Sequence, residues 1–478
     1  MRRFGRRRLW PGVALSAVLA ASAAQTQSGP RAAPATGAVS ALMISDIHFD
    51  PFHDPGKAKL LARDPVSRWA AVLAAPESPL AAASFEHLQA VCRAKGVDTP
   101  YALLRSGLET MRARSQPEFV TLSGDLIAHK FDCRYQKTVG DAAGYQAFVE
   151  KTLAFVVGQL RAAWPGVPVY ISLGNNDSAC GDYRLDPSSA FLRGTAAIIA
   201  RGLPTAERYD ELREFSVGGY YSVDLVPLRR TRLIVLNDVF QSLNYRTCAG
   251  AMDAAPGVAE MAWLAQQLEQ AQRAGEKVWV MGHIPPGVNV YATVRELPDV
   301  CGTGKPVMFL DAGRLDDLLL EHAGEVRLAL FAHTHMDEMR LLEGGSGPGV
   351  AVKLVPSISP VDGNNPAFTV ARVDRTTAVL KDYEVFAASN QTGVGTQWTK
   401  EYDYAEAYHE PAFTPSALQE LIAEFQADPK AKSAASQEYI RDYYVGGEAR
   451  ELTPFWPQYV CSLEHLTAKG YAGCVCGK

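Results

Sequence analysis

The chain has 478 residues, 47% hydrophobic and 21% charged, proportions that exclude a disordered or fibrous polymer and allow one large domain plus an appendage, or two domains. Its formal charge is −5, and five of its arginines fall within the first eight residues. No basic tract follows them, which argues against nucleic acid or an anionic membrane as the main partner.

The start reads as a leader. Arg2 to Arg8 form a basic stretch, Leu9 to Ala20 is mostly apolar, and Ala21-Ser22-Ala23-Ala24 offers small residues for cleavage. This predicts a signal peptide over 1–24 and a secreted or periplasmic location. The apolar run is short and broken by Pro11-Gly12, so no stable membrane anchor is expected. Residues 25–39 read as a flexible lead-in. The eight cysteines form no CxxC pair, and in an exported chain they predict disulfides, with the pairing left open.

Ala41 to Ile44 is an apolar strand that runs into Asp46 and His48. If that strand continues, the two side chains share a face by the period-two rule. Asp54 to Pro79 has no clear period and reads as a surface excursion. Thr99-Pro100 opens a helix as its N-cap and first helical residue, with Leu104, Leu108 and Met111 on one face. Glu118 to Leu122 is a buried strand ending in Gly124-Asp125, and four residues further on stands His129. A helix over 144–164 leads to the strand Val167 to Leu173, which ends in Asn175, Asn176 and Asp177. Strands over 220–224 and 231–236 follow, then a helix around Met261, Leu264 and Leu268 stopped at Gly275. Lys277 to Met281 is a strand ending in His283. After the helix Leu315 to His322, the strand Val326 to Phe331 ends in His333 and His335, which repeat the period-two spacing. Strands and helices alternate up to here, predicting an α/β layered fold. From about Gly349 the strands run without helices between them, predicting a second sheet. The tail beyond 389 is aromatic, with helices near 416–426 and 437–445; its aromatics are expected to pack it onto the main domain.

Collected, the strand ends offer Asp46, His48, Asp125, Asn175, His283, His333 and His335, in a chain with ten histidines. Ligand sites in α/β sheets lie beyond the carboxyl ends of strands. Mixed imidazole and carboxylate donors suit zinc, iron or manganese better than calcium. Seven donors are too many for one tetrahedral ion and suit two divalent ions. A two-metal centre of this kind clamps both oxygens of an in-line displacement at phosphorus.

The ordered set Asp-x-His, Gly-Asp, Gly-Asn, Gly-His and Ala-His-x-His resembles the calcineurin-like metallophosphoesterases. Within them, Gly124 to His129, His283-Ile284-Pro285-Pro286-Gly287, His333 to Glu338 and Asn365 to Phe368 resemble acid sphingomyelinase and its phosphodiesterase relatives. The resemblance implies a four-layer β-sandwich flanked by helices over 40–388, with a small, mainly helical, cysteine-containing subdomain over 389–478. It implies that Asp46, His48, Asp125 and His335 hold one ion and Asp125, Asn175, His283 and His333 the other, with Asp125 bridging. The ions are expected to be zinc, with iron or manganese as the other candidates, and a metal-activated water is expected to attack phosphorus in line. In the family a histidine commonly follows the ligand asparagine; here it is Asn176, whose amide can hold a phosphate oxygen but not donate a proton at neutral pH. His129 is the expected substitute, and Asp177 the second. The interval between the leader and Asp46 is too short for the lipid-extracting domain that precedes the first motif in acid sphingomyelinase. Small soluble phosphodiesters or nucleotides are therefore the expected substrates. A phosphomonoesterase or an endopolyphosphatase-like hydrolase, and a catalytically lapsed binder of phosphorylated ligands, are the alternative readings. The sequence is silent on oligomeric state.

Overall fold

The computed structural model describes residues 37–204, 212–296, 299–311, 313–344, 347–446 and 452–477. The leader and most of the lead-in lie outside the described residues. Twelve strands run in order: β1 Ala38–Ile44, β2 Phe119–Ser123, β3 Val169–Ser172, β4 Tyr221–Asp224, β5 Thr231–Val235, β6 Lys277–Met281, β7 Val326–Phe331, β8 Glu338–Leu342, β9 Val350–Leu354, β10 Ala367–Asp374, β11 Leu380–Ala388 and β12 Trp398–Asp403. They form two six-stranded sheets, β12-β11-β10-β1-β2-β3 and β4-β5-β6-β7-β9-β8. The sheets share one apolar core, in which Phe119 of β2 meets Trp279 of β6 edge to face, ring centroids 5.8 Å apart.

All five residues of β2 and all four of β3 are buried. Such continuous apolar runs belong to parallel strands covered on both faces. β1, β2 and β3 are parallel, as are β5, β6, β7 and β9. The parallel arrangement sends the carboxyl ends of β1, β2 and β3 to one side of their sheet, and those of β6 and β7 to one side of theirs. Helices Tyr101–Arg114, Tyr145–Ala163 and Ala255–Ala274 make the crossovers. The last ends on Gly275 at φ +62°, a left-handed cap that glycine adopts without strain.

Three expectations need correction. The strands after 349 do not form a sheet of their own: β9 joins the second sheet, and β10 returns to pair antiparallel with β1 in the first. The sheets divide between β3 and β4, a long-range choice that local pattern does not encode. The stretch 54–79 holds short helical segments, including Ala58–Arg63 and Trp69–Ala74. They are held by Trp69, which is fully buried and donates its indole N–H to the Leu61 carbonyl at 3.0 Å. Pro100, not Thr99, occupies the cap position of the helix Tyr101–Arg114.

In the tail, helices Pro415–Ala427 and Trp456–Glu464 lie against β8. Trp398, Tyr402, Tyr404, Tyr408, Trp456 and Tyr459 are buried there, as expected of packing residues, while Phe455 is exposed. The eight cysteines pair as Cys92–Cys133, Cys180–Cys248, Cys301–Cys476 and Cys461–Cys474, which fits an oxidising compartment.

Candidate metal centre

The structure brings the seven strand-end residues together, but not by the route that strand periodicity suggests. β1 ends at Ile44, and Asp46 and His48 sit beyond it at φ +44° and +42°. Asp125 (+53°), His333 (+71°) and His335 (+68°) are also left-handed. Non-glycine residues in this region are held against a local cost and gather at functional sites. The ends of β1, β2 and β7 therefore turn sharply, and there the turn rather than the pleat aims the side chain. The turns lock onto one another: the Asp46 amide donates to the Gly124 carbonyl at 3.1 Å, and that of His48 to the Asp125 carbonyl at 2.9 Å. A Cβ on Gly174 would lie 2.1 Å from Asp125 Oδ1, so only glycine lets the third turn approach this close.

The histidines are oriented by acceptors behind them. His48 Nδ1 lies 2.9 Å from the Ile127 carbonyl and His283 Nδ1 2.7 Å from that of Ser123. Behind His335, Asp362 Oδ2 stands 3.4 Å from Nδ1 as an ion-pair neighbour, without a hydrogen bond between them. With Nδ1 carrying the proton, Nε2 of each ring presents a lone pair. Those lone pairs converge: His48 Nε2 and His335 Nε2 are 3.1 Å apart. Asp46 Oδ1, fully buried and without a hydrogen bond, lies 3.4 Å from His335 Nε2, 3.8 Å from His48 Nε2 and 4.0 Å from His283 Nε2. Asp125 Oδ2 is 3.4 Å from His48 Nε2 and 3.3 Å from His283 Nε2. Asn175 Oδ1 is 3.1 Å from His283 Nε2.

Facing imidazole lone pairs around an unbonded carboxylate oxygen repel one another unless cations lie among them. The donor set fits divalent ions. Asp125 belongs both to a cluster with Asp46 and His48 and to one with His283 and His333, the ligand atoms of each within 4.8 Å of one another. A shared carboxylate between two clusters is the pattern of a binuclear centre. Burial lifts the Asp46 carboxyl to about 7. Burial acts the same way on Asp125, but His283 and His48 beside it hold its carboxyl well below the usual range.

The remaining candidates fall in distinct places. Both amide N–H groups of Asn176 are turned to Asp125: its backbone N–H donates to Oδ1 and its Nδ2 to Oδ2, each at 2.8 Å. Both Asp177 oxygens accept from backbone, Oδ1 from Leu126 (2.8 Å) and Ile127 (3.1 Å), Oδ2 from Gly174 (2.9 Å). Asp177 thus ties two of the turns together. His129 stacks on His48 with ring centroids 4.0 Å apart. Its Nδ1 lies 2.9 Å from Asp98 Oδ1, and its Nε2 has no partner among the described residues. Burial works against its positive charge, but the Asp98 carboxylate outweighs burial and raises it to about 9.

Sequence reasoning missed Asp98, Asp362 and Asp238. Asp98 and Asp362 lie on loops with no local signal. Asp238 accepts from the backbone N–H of His283 (2.7 Å) and Ile284 (3.0 Å); it follows the end of β5, and the same strand-end rule would have found it. Beside the centre is a pocket of about 320 Å³ lined by Lys130, Tyr145, Asn176, Asp182 and Arg184 among others.

The fold and this cage define a calcineurin-like phosphoesterase: the model of that family matches residues 40–337, and the chain belongs to it. It is a metal-dependent hydrolase of phosphoric esters. The chain is 26% identical over 456 residues to the acid sphingomyelinase-like phosphodiesterase 3b of Mus musculus, covering 91% of this chain and 89% of the relative. The sphingomyelin phosphodiesterase of Bos taurus is 26% identical over 356 residues, 69% of this chain and 50% of its own. The endopolyphosphatase of Neurospora crassa is 27% identical over 192 residues, 40% of this chain and 26% of its own.

Proposed function

We propose that this protein is an exported phosphodiesterase acting on small soluble phosphodiesters or nucleotides. The observation that carries the reading is the convergence of Asp46, His48, Asp125, Asn175, His283, His333 and His335 on one buried centre, with His129 at its edge. Asp46, His48, Asp125 and His335 would hold one ion and Asp125, Asn175, His283 and His333 the other, zinc being the best match to the donors. Two such ions supply charge neutralisation at the phosphate and an activated water.

The protein's own groups do the rest. Asp125 is kept ionised, against burial, chiefly by His283 and His48 and is aimed by the two N–H groups of Asn176, which thereby acts on the bridging ligand. His129, held by Asp98 through Nδ1, keeps Nε2–H free to protonate the departing oxygen. The pocket beside Asn176 receives one of the two ester groups, its Lys130, Asp132, Asp182 and Arg184 favouring a polar substituent.

A second reading is hydrolysis of phosphoanhydrides. It is favoured by Asn176 itself, because a phosphate leaving group needs less proton donation than an alkoxide. The test compares bis(p-nitrophenyl) phosphate, p-nitrophenyl phosphate and polyphosphate with zinc-loaded protein and with Asp125→Asn. Turnover of the diester by the wild type, lost in the variant, supports the diesterase. Equal rates in both sink it, and turnover confined to polyphosphate supports the second reading.

A further inference from the structure

The loop after Asn175 carries two side chains that face ligands of the same ion. Asp182 Oδ1 accepts from Asn175 Nδ2 at 2.7 Å, which commits the amide nitrogen and leaves Asn175 Oδ1 toward His283. The next residue, Tyr183, sits at φ +55° and places its hydroxyl 3.1 Å from His333 Nε2. With Nε2–H given to the phenol oxygen, the His333 lone pair is on Nδ1.

The loop itself is anchored by other means. The Tyr183 amide donates to the Asn175 carbonyl (2.9 Å), the Arg246 amide to the Tyr183 carbonyl (3.0 Å) and the Leu185 amide to the Arg246 carbonyl (3.1 Å). Cys180–Cys248 ties it to the same partner segment. All of these are backbone or disulfide links, so trimming Asp182 or Tyr183 leaves the loop in place. The other cluster is served by different groups: the Ile127 carbonyl behind His48 and Asp362 behind His335.

We infer that Asp182 and Tyr183 are positioning residues for one of the two ions only, the one held through Asn175 and His333. The inference rests on the two-ion reading above. Asn175 is the weakest donor of the set, a neutral amide oxygen, and it gains most from having its orientation fixed. Removing such a supporting partner costs about 10–100-fold in metal affinity.

The test uses the full chain and zinc alone, without substrate. Apo protein is dialysed against buffered zinc over a range of free concentrations, and bound metal is counted. The wild type is expected to take two equivalents. Tyr183→Phe and Asp182→Ala are each expected to keep one equivalent at wild-type affinity and to bind the second about 10–100-fold more weakly. Asp182→Asn, whose amide oxygen still accepts from Asn175, is expected to recover most of the loss. Apo melting temperatures of all four proteins should coincide. Wild-type affinity at both sites in Tyr183→Phe and Asp182→Ala overturns the inference and leaves the two-ion reading standing. Parallel loss of both ions with a lowered apo melting temperature overturns it in favour of a purely structural loop. A wild type that takes fewer than two equivalents removes the two-ion reading and the inference together.

Discussion

Asn176 hydrogen-bonds Asp125 and His129 stacks on His48; in the proposed mechanism the two divide the labour of an acid catalyst. Asn176 gives its hydrogen bonds to Asp125, and so fixes a ligand. Against the effect of burial, the Asp98 carboxylate beside Nδ1 raises His129 to about 9, so the ring carries a proton at neutral pH. An acid is needed in proportion to how poor the leaving group is. His129→Gln is therefore expected to cost about 10²–10⁴-fold in kcat on an alkyl phosphodiester, and far less on bis(p-nitrophenyl) phosphate. Steady-state kinetics on the two substrates checks this; equal losses on both would remove His129 from the proton-donor role. Asp98→Asn should reproduce the same contrast more mildly, since it weakens the charge support without deleting the ring.

The tail helices are fastened to the strand that follows His333 and His335. Asp337, two residues past His335, is buried immediately before β8; it pairs with Lys353, accepts from the Tyr402 hydroxyl at 2.8 Å, and donates its amide to the Tyr443 carbonyl at 3.1 Å. Glu338 accepts from the Tyr459 hydroxyl at 2.9 Å. The tail aromatics thus bring hydroxyls to the acids at and just before the start of β8 as well as apolar surface to the core. Lys353→Met leaves Asp337 buried and unpaired, which costs about 3–5 kcal/mol. Tyr402→Phe removes one partner and costs about 1–3 kcal/mol. Denaturant unfolding measures both, and Lys353→Met costing less than Tyr402→Phe would show that the ion pair is not what holds the tail to Asp337.

At the level of the whole molecule, stability is tied to pH and to metal. Burial lifts Glu260 from an ordinary value of 4.5 to about 8, against the pull of the Asn237 amide that donates to it. Its folded-state pKa lies above the unfolded one, so its contribution is full below the unfolded value and is lost as pH rises through about 8. Glu260→Gln keeps an acceptor for Asn237 and does not titrate. Its melting temperature relative to wild type should rise between pH 5 and 9; a constant difference would contradict the burial effect. Chelation should lower the melting temperature, because ions that bind only the folded chain stabilise it by about 4 kcal/mol at a thousandfold excess over Kd. Zinc should restore it in a concentration-dependent way in wild type and much less in Asp125→Asn, as followed by thermal shift.

What could be read from the sequence was local. Apolar runs marked most of the strands, and a chain that places Asp46, His48, Asp125, Asn175, His283, His333 and His335 just past such runs announces a metal centre before any coordinates. The stop at Gly275 and the packing role of the tail aromatics were legible for the same reason: each depends on neighbours within a turn or a face. The rest required the folded chain. Periodicity put Asp46 with His48, and His333 with His335, on strand faces, whereas left-handed turns beyond the strands aim them, and such turns are stable only because Gly124, Gly174 and the partner turns pack against them. The return of β10 to β1, the pairing of Asp98 with His129, and the meeting of Asp362 with His335 join residues remote in sequence. Their free energy comes from contacts that exist only after both sheets have closed, so no window of sequence contains it.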